Sequence, residues 1–241
     1  MERKRFLRSL LIGAIAGPAV LEACKKKEAL TAVDDPSGTG TVTNSGTANS
    51  GSCSIAPTET EGPFPTKVPS TYNRSDITDG RTGYKLTANI TINASCKPLA
   101  GAIVDIWHCD AEGNYSEYGG TGMQSTNYQS VHFLRGRQVT DAAGLVKFTS
   151  IFPGWYNGRA THIHVHVYSA SGNSLKITQI AFPEGSGSAV GLVNGYKKGL
   201  SGYTYNANDN VFSDDVLKIE VANVTGSLSD GFVLNMTINA V

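Results

Sequence analysis

The feature that most constrains this chain is Phe152 to His166, Phe-Pro-Gly-Trp-Tyr-Asn-Gly-Arg-Ala-Thr-His-Ile-His-Val-His. It opens on a Pro153-Gly154 turn signal, presents Tyr156, passes Arg159 and then places His162, His164 and His166 at every second position. Strand side chains alternate faces, so such a segment carries three imidazoles on one side and Ile163, Val165 and Val167 on the other. Imidazole is the commonest protein metal ligand, and a strand holds two of them at fixed separation. A polar sheet face that happens to be rich in histidine satisfies the same pattern, since His-x-His alone is a weak motif. The tyrosine and arginine just upstream favour the metal reading.

The rest of the chain supplies sheet around this strand. Tyr84 to Ile92 alternates, with Leu86, Ala88, Ile90 and Ile92 on one face and Lys85, Thr87, Asn89 and Thr91 on the other, as in a half-buried strand. Further strands are expected at Gly101–Trp107, Leu145–Thr149, Ser174–Phe182, Val216–Val221 and Phe232–Ile238, with Asn206–Asp215 as a polar connection. No segment sustains a helical period. With 27 Gly, 9 Pro and only 17% charged residues, the composition suits a turn-rich, all-β, two-sheet β-sandwich with long loops. A formal net charge of zero and the lack of a basic patch argue against nucleic acid as a partner.

Three domains follow from composition. Residues 1–24 read as an export signal: Arg3, Lys4, Arg5 and Arg8 precede a short apolar run, Leu10 to Leu21, that ends at Cys24. Leu21-Glu22-Ala23-Cys24 resembles a bacterial lipobox, which implies lipidation at Cys24 and a membrane anchor on the exported side of the cell envelope. Arg3 to Arg8 resembles a twin-arginine signal with one Lys, leaving the Tat and Sec routes both open. Residues 25–52 are mostly Gly, Ser, Thr, Asn and Ala and read as a disordered linker with a reach of about 30 Å. Residues 53–241 form the folded domain. With Cys24 lipidated, Cys53, Cys96 and Cys109 leave one disulfide and one free thiol. Cys96 and Cys109 lie at opposite ends of a proposed hairpin, so Cys53 pairs with one of them, and the sequence does not say which.

Three ordered segments carry a family resemblance: Trp107-His108-Cys109-Asp110-Ala111-Glu112-Gly113-Asn114-Tyr115, Arg135-Gly136-Arg137-Gln138-Val139-Thr140-Asp141, and Pro153 to His164. Ile177-Thr178-Gln179 adds a fourth match. Together they make the stretch from Pro57 to Gly185 similar to the intradiol ring-cleavage dioxygenases, of the protocatechuate 3,4- and catechol 1,2-dioxygenase kind. The resemblance implies a non-haem Fe(III) centre ligated by Tyr115, Tyr156, His162 and His164, with Arg159 and Gln179 as catalytic residues. Phenolate is a hard anionic donor, so this set suits ferric iron better than an all-histidine site would. His166 falls outside the set and reads as structural, as do His108 and His132. The implied partners are a catechol and O2, and the implied product is a cis,cis-muconate-type diacid. Substrate choice is expected to lie with the loops Glu59–Tyr72 and Tyr118–His132. Two other classes compete: a lipid-anchored, non-catalytic metal- or ligand-binding sandwich, and a carbohydrate-binding module. Neither has a need for two buried tyrosines beside an arginine.

Overall fold

The computed structural model describes residues 53–241. The expected export signal, the Cys24 anchor and the linker lie outside the described residues. Among the described residues nine strands form two sheets. The first sheet contains β1 (Lys85–Ala94), β2 (Lys97–Pro98), β5 (Leu145–Ile151), β8 (Asn223–Ser227) and β9 (Gly231–Asn239). In it β5 and β2 flank one side of β1, while β9 and then β8 follow on the other. The β1–β9 pairing is parallel and the other pairings are antiparallel. The second sheet runs β4 (Arg135–Val139), β3 (Ile103–Trp107), β6 (His162–Tyr168), β7 (Ser174–Ala181), antiparallel throughout. The short α-helix α1 (Ala189–Val193) is capped by the Ser188 side chain accepting from Gly191 N–H.

The core lies between the sheets and follows from alternation. Leu86, Ala88, Ile90 and Ile92 of β1 are fully buried. They share one cluster with Val104 and Ile106 of β3, Ile163, Val165 and Val167 of β6, and Phe232, Leu234 and Ile238 of β9. The histidines of β6 therefore project from the outer face of the second sheet, away from the sandwich interior.

Two strand assignments change. Val216–Val221 is not a strand; Asp215 accepts the N–H groups of Ile219 and Glu220, Lys218 has φ 55°, and only Val221 makes a bridge, to Ala181. The pairing strand begins two residues later, at Asn223. Conversely β4 escapes a reading by alternation because Arg135, Gly136, Arg137 and Gln138 show no apolar period, although the segment pairs fully with β3. The disulfide joins Cys53 to Cys96 with Cα atoms 5.5 Å apart, and Cys109 is the buried free thiol.

Glu220 is nearly inaccessible, accepts from Thr178 at 3.2 Å through Oε1 and has no partner on Oε2. Burial, then the neighbouring carboxylates of Glu59 and Asp215, push its pKa up to about 8. A folded-state pKa above the unfolded value of 4.5 means that ionisation disfavours the fold. The penalty grows as pH rises from about 4.5 towards 8 and is absent below that window. Glu220→Gln should therefore raise the melting temperature at pH 7.5 by roughly 3–6 °C, about 1–2 kcal/mol at this size. Parallel melting curves at pH 4 should show no such gain; an equal gain at both pH values would discard the titration account.

Candidate metal centre

Strand register assembles the floor of the site. On the outer face, Arg135 of β4, Trp107 of β3, His164 of β6 and Gln179 of β7 are direct neighbours in one row across all four strands. Trp107 stacks on His164 with ring centroids 4.9 Å apart and planes 1° from parallel, which fixes that imidazole. One step along, His162 lies 4.8 Å from His164 between ring centroids.

The tyrosines arrive on two loops that must touch. Asp110 Oδ1 accepts the N–H groups of Glu112 (3.1 Å) and Asn114 (2.8 Å), turning the chain after β3. Gly113, at φ 90°, then lies so close to the second loop that a Cβ would stand 2.2 Å from Trp155 O, and one on Gly154 would stand 2.5 Å from Ala111 O. Only glycine at both places lets the two tyrosine-bearing loops pack backbone to backbone. Gln124 acts as a surrogate backbone for the first loop, accepting from Tyr115 N–H (2.7 Å) and donating to Tyr115 O (2.8 Å).

The donor atoms converge. Tyr115 Oη is 3.1 Å from His162 Nε2, and His162 Nε2 is 3.1 Å from His164 Nε2. Tyr156 closes the group, with its ring 5.8 Å from that of Tyr115 and 5.7 Å from that of His162. His162 Nδ1 lies 2.6 Å from Ala160 O, which can only accept, so Nδ1 carries the proton and Nε2 presents a bare lone pair. Burial holds both imidazoles neutral, His162 at about 3 and His164 well below its ordinary range. Burial raises both phenols, Tyr115 strongly; for Tyr156 the charge and hydrogen bond of Arg159 pull the other way. Neutral imidazoles and phenols crowded together in an apolar shell of Phe64, Trp107 and Cys109 fit a bound cation, whose charge would ionise the phenols. Among the described residues no group of three or more His, Cys, Asp or Glu could hold a metal. Any metal set here therefore has to include the tyrosines.

Arg159 and Gln179 are brought together as well. Arg159 is 7% exposed and its Nη2 donates to Gln179 Oε1 at 2.6 Å. Gln179 Nε2 donates to Thr60 O (2.9 Å), tying the roof loop to the sheet. The anchor that sequence reading missed is Asp209, fully buried in the segment read as a polar connection. It accepts Arg159 Nε at 2.9 Å, Ala160 N–H at 2.6 Å and Val211 N–H at 2.8 Å. Burial alone would raise its pKa, but these bonds and the guanidinium hold it below the usual carboxylate range. No local pattern marks it, because its partner is 50 residues away.

Arg135 is a second organiser, fully buried behind Trp107. It donates to Ser116 Oγ and Ser116 O on one loop and to Phe64 O and Thr66 Oγ1 on the other, all within 3.0 Å. Phe64 is thereby held against Tyr115, with ring centroids 4.7 Å apart. His166 does not join the centre: it bonds Glu61 (3.1 Å) and Ser174 (2.8 Å) and stacks on Tyr168. His108 is bonded to Ser150 (2.7 Å) and His132 to Tyr72 (2.6 Å).

Comparison with known proteins bears on the same segments. The dioxygenase family model Dioxygenase_C matches residues 65–221, the span that carries all four candidate ligands, Arg159, Gln179 and Asp209. The chain is 30% identical over 109 residues to a chlorocatechol 1,2-dioxygenase of Rhodococcus opacus, covering 37% of this chain and 40% of that protein. It is 32% identical over 97 residues to catechol 1,2-dioxygenase 1 of Acinetobacter lwoffii, covering 33% and 30%. The chain thus spans less than half the length of these curated relatives. An intradiol ring-cleavage dioxygenase structure from Tetranychus urticae superposes with a TM-score of 0.68 at 32% identity, covering 78% of this chain and 94% of that one. With more than half of its length matched, and with the matched segments folding into one two-sheet sandwich, this chain belongs to the intradiol ring-cleavage dioxygenase family.

Proposed function

We propose that the protein is an Fe(III)-dependent intradiol dioxygenase that opens a catechol between its two hydroxyl-bearing carbons, using O2, to a cis,cis-muconate-type diacid. The observation that carries this reading is the convergence of two phenols with two neutral imidazoles on a dry sheet face. A hard trivalent cation would be held by Tyr115, Tyr156, His162 and His164, two anionic and two neutral donors. When bound, such an ion supplies a Lewis-acidic, redox-active site that accepts the diol as a dianion and makes its ring reactive towards O2.

The protein groups have separate tasks. Tyr156 is the more exposed of the two phenols and lies beside Arg159, so it is the group placed to take a proton from the incoming diol. Arg159, clamped by Asp209 and Gln179, presents a fixed positive charge that cannot follow solvent. Trp107 and Phe64 keep water from the imidazoles and phenols. The test is a spectrophotometric screen of the purified, iron-analysed protein against catechol, protocatechuate and hydroxyquinol. Ring opening should be accompanied by consumption of one O2 per diol. A protein that carries zinc, lacks visible colour and consumes no O2 would favour the non-catalytic binding lipoprotein instead.

We also propose export and anchoring through a lipidated Cys24. Support comes from the Cys53–Cys96 disulfide, which suits an oxidising compartment. Mass spectrometry of membrane-extracted protein should find acyl chains on Cys24, and an intact Met1 would contradict it.

A further inference from the structure

The chain contains two Asn-Gly pairs, Asn157-Gly158 and Asn194-Gly195, and the fold treats them differently. A glycine after asparagine has no Cβ to shield its backbone nitrogen, which can then reach the asparagine side chain. Asn157-Gly158 forms the tip of the turn that joins Tyr156 to Arg159. Arg159 N–H donates to Tyr156 O (3.1 Å) and Gly158 has φ 85°, the pattern of a type II turn. Both tip residues are exposed, and a Cβ on Gly158 would meet nothing within 4 Å. Among the described residues neither the Asn157 side chain nor the Gly158 N–H has a hydrogen-bond partner. The other pair is locked. Asn194 N–H donates to Val190 O (2.9 Å) at the end of α1, and Gly195 is buried. A Cβ on Gly195 would stand 2.1 Å from Gly199 O and 2.8 Å from Trp155 Nε1.

We propose that Asn157 is a self-modification site, which converts to isoaspartate and so retires the neighbouring centre. The Gly158 backbone nitrogen attacks Asn157 Cγ. The new N–Cγ bond forms as the Cγ–Nδ2 bond breaks, and the amide proton departs with Nδ2 as ammonia. Water then opens the resulting imide ring. Opening at the Asn157 main-chain carbonyl carbon gives isoaspartate: the α-carboxyl is released as a carboxylate and the chain continues through Cβ and Cγ. Opening at Cγ gives aspartate. Water is the only co-reactant. The consequence is positional. Isoaspartate adds a carbon to the main chain between Tyr156 and Arg159, so the closing hydrogen bond of the turn is lost, and it sets a new carboxylate beside the guanidinium. Arg159 is clamped by Asp209 and Gln179, and Trp155 is held by its bond to Gly199 O (3.0 Å). The added length therefore falls on Tyr156, between them. The loss of catalysis rests on the ring-cleavage reading; the conversion itself does not.

In the experiment the iron-loaded protein is held in warm, mildly alkaline buffer and sampled over time. Peptide mass spectrometry with an isoaspartyl methyltransferase assay follows Asn157 and Asn194. Anion exchange separates the converted protein, which carries an added negative charge, and each fraction is assayed for catechol turnover, iron content and visible band. Asn157 should convert at least about ten-fold faster than Asn194, whose backbone must first open locally. The isoaspartate fraction should turn over about 10²-fold more slowly than the unconverted one, the scale of a reacting group displaced by about an ångström. Asn157→Gln, whose longer side chain closes an imide far more slowly, should start at the parental turnover and keep it throughout. An Asn157 that stays intact, or one that converts no faster than Asn194, overturns the site. An isoaspartate fraction as active as the parent, or an Asn157→Gln variant that decays at the parental rate, overturns the consequence. If the fresh protein opens no catechol, the ring-cleavage reading fails. Iron content and visible band then read the consequence, and the conversion ratio still decides the site.

Discussion

Tyr115→Phe should abolish or strongly shift the visible band of the iron-loaded protein and lower its turnover on the order of 10²–10³-fold, with the fold intact. The phenol is fully buried and its ring stacks on Phe64, contacts that phenylalanine keeps. The hydroxyl is what changes. In the parent it lies 3.1 Å from His162 Nε2, where on the proposed reading it would be one of two anionic donors for a trivalent ion. Its loss removes a charge aligned with the centre before the reaction starts, which typically costs about 3–4 kcal/mol of transition-state stabilisation. Stability should fall by only about 0.5–1.5 kcal/mol, the net worth of a hydrogen bond.

A second readout needs no substrate. Burial keeps the Tyr115 phenol protonated far above its ordinary range, so loading an ion there must expel a proton. Iron affinity should therefore rise with pH, and Tyr115→Phe should release one proton fewer per ion in weakly buffered titrations. An unchanged band together with unchanged proton release would remove Tyr115 from the ligand set.

Arg159→Ser should damage the protein in two separable ways. Turnover should fall by about 10²–10³-fold with a much smaller change in KM, because charge reaches the ring only as oxygen attacks and a fixed guanidinium stabilises that state most. The fold should also lose about 3–5 kcal/mol, since Asp209 is fully buried and would be left without its counter-charge. That cost follows from the structure; the short turn between Tyr156 and His162 does not disclose it. The double variant Arg159→Gln/Asp209→Asn separates the two effects. It removes both charges, and with them the cost of a buried carboxylate without its cation, but one amide oxygen cannot accept both the Ala160 and the Val211 N–H groups, so thermal stability should return in part while turnover stays low. Recovery of turnover along with stability would make Arg159 a structural residue only.

Much of the scaffold was legible in the chain because alternation is a local signal. Leu86 to Ile92 and the His162 to Val167 run each show which side faces the core, and six of the seven expected strand segments are strands of the sandwich. The candidate ligands were legible for another reason: motif segments with turn residues such as Asp110, Gly113, Pro153 and Gly154 carry their loop geometry with them. Signals without a local period were lost. β4 is a strand by virtue of pairing with β3, and Val216–Val221 alternates yet is turned aside by the hydrogen bonds of Asp215.

Tertiary structure alone decided which residues of one face share a site. His162, His164 and His166 are equivalent by period, but His164 lies in the row with Trp107 and Gln179 while His166 lies opposite Asp105 and bonds Glu61. It also selected Cys96 over Cys109 for Cys53, placed Asp209 beneath Arg159 and made Arg135 the tie between two loops. Periodicity reports only neighbours a few residues apart, whereas these partners lie from 19 to 105 residues apart. Such contacts form when strand register and loop packing close the chain on itself, and the burial that then makes them strong, unscreened and costly to break exists only in the folded state.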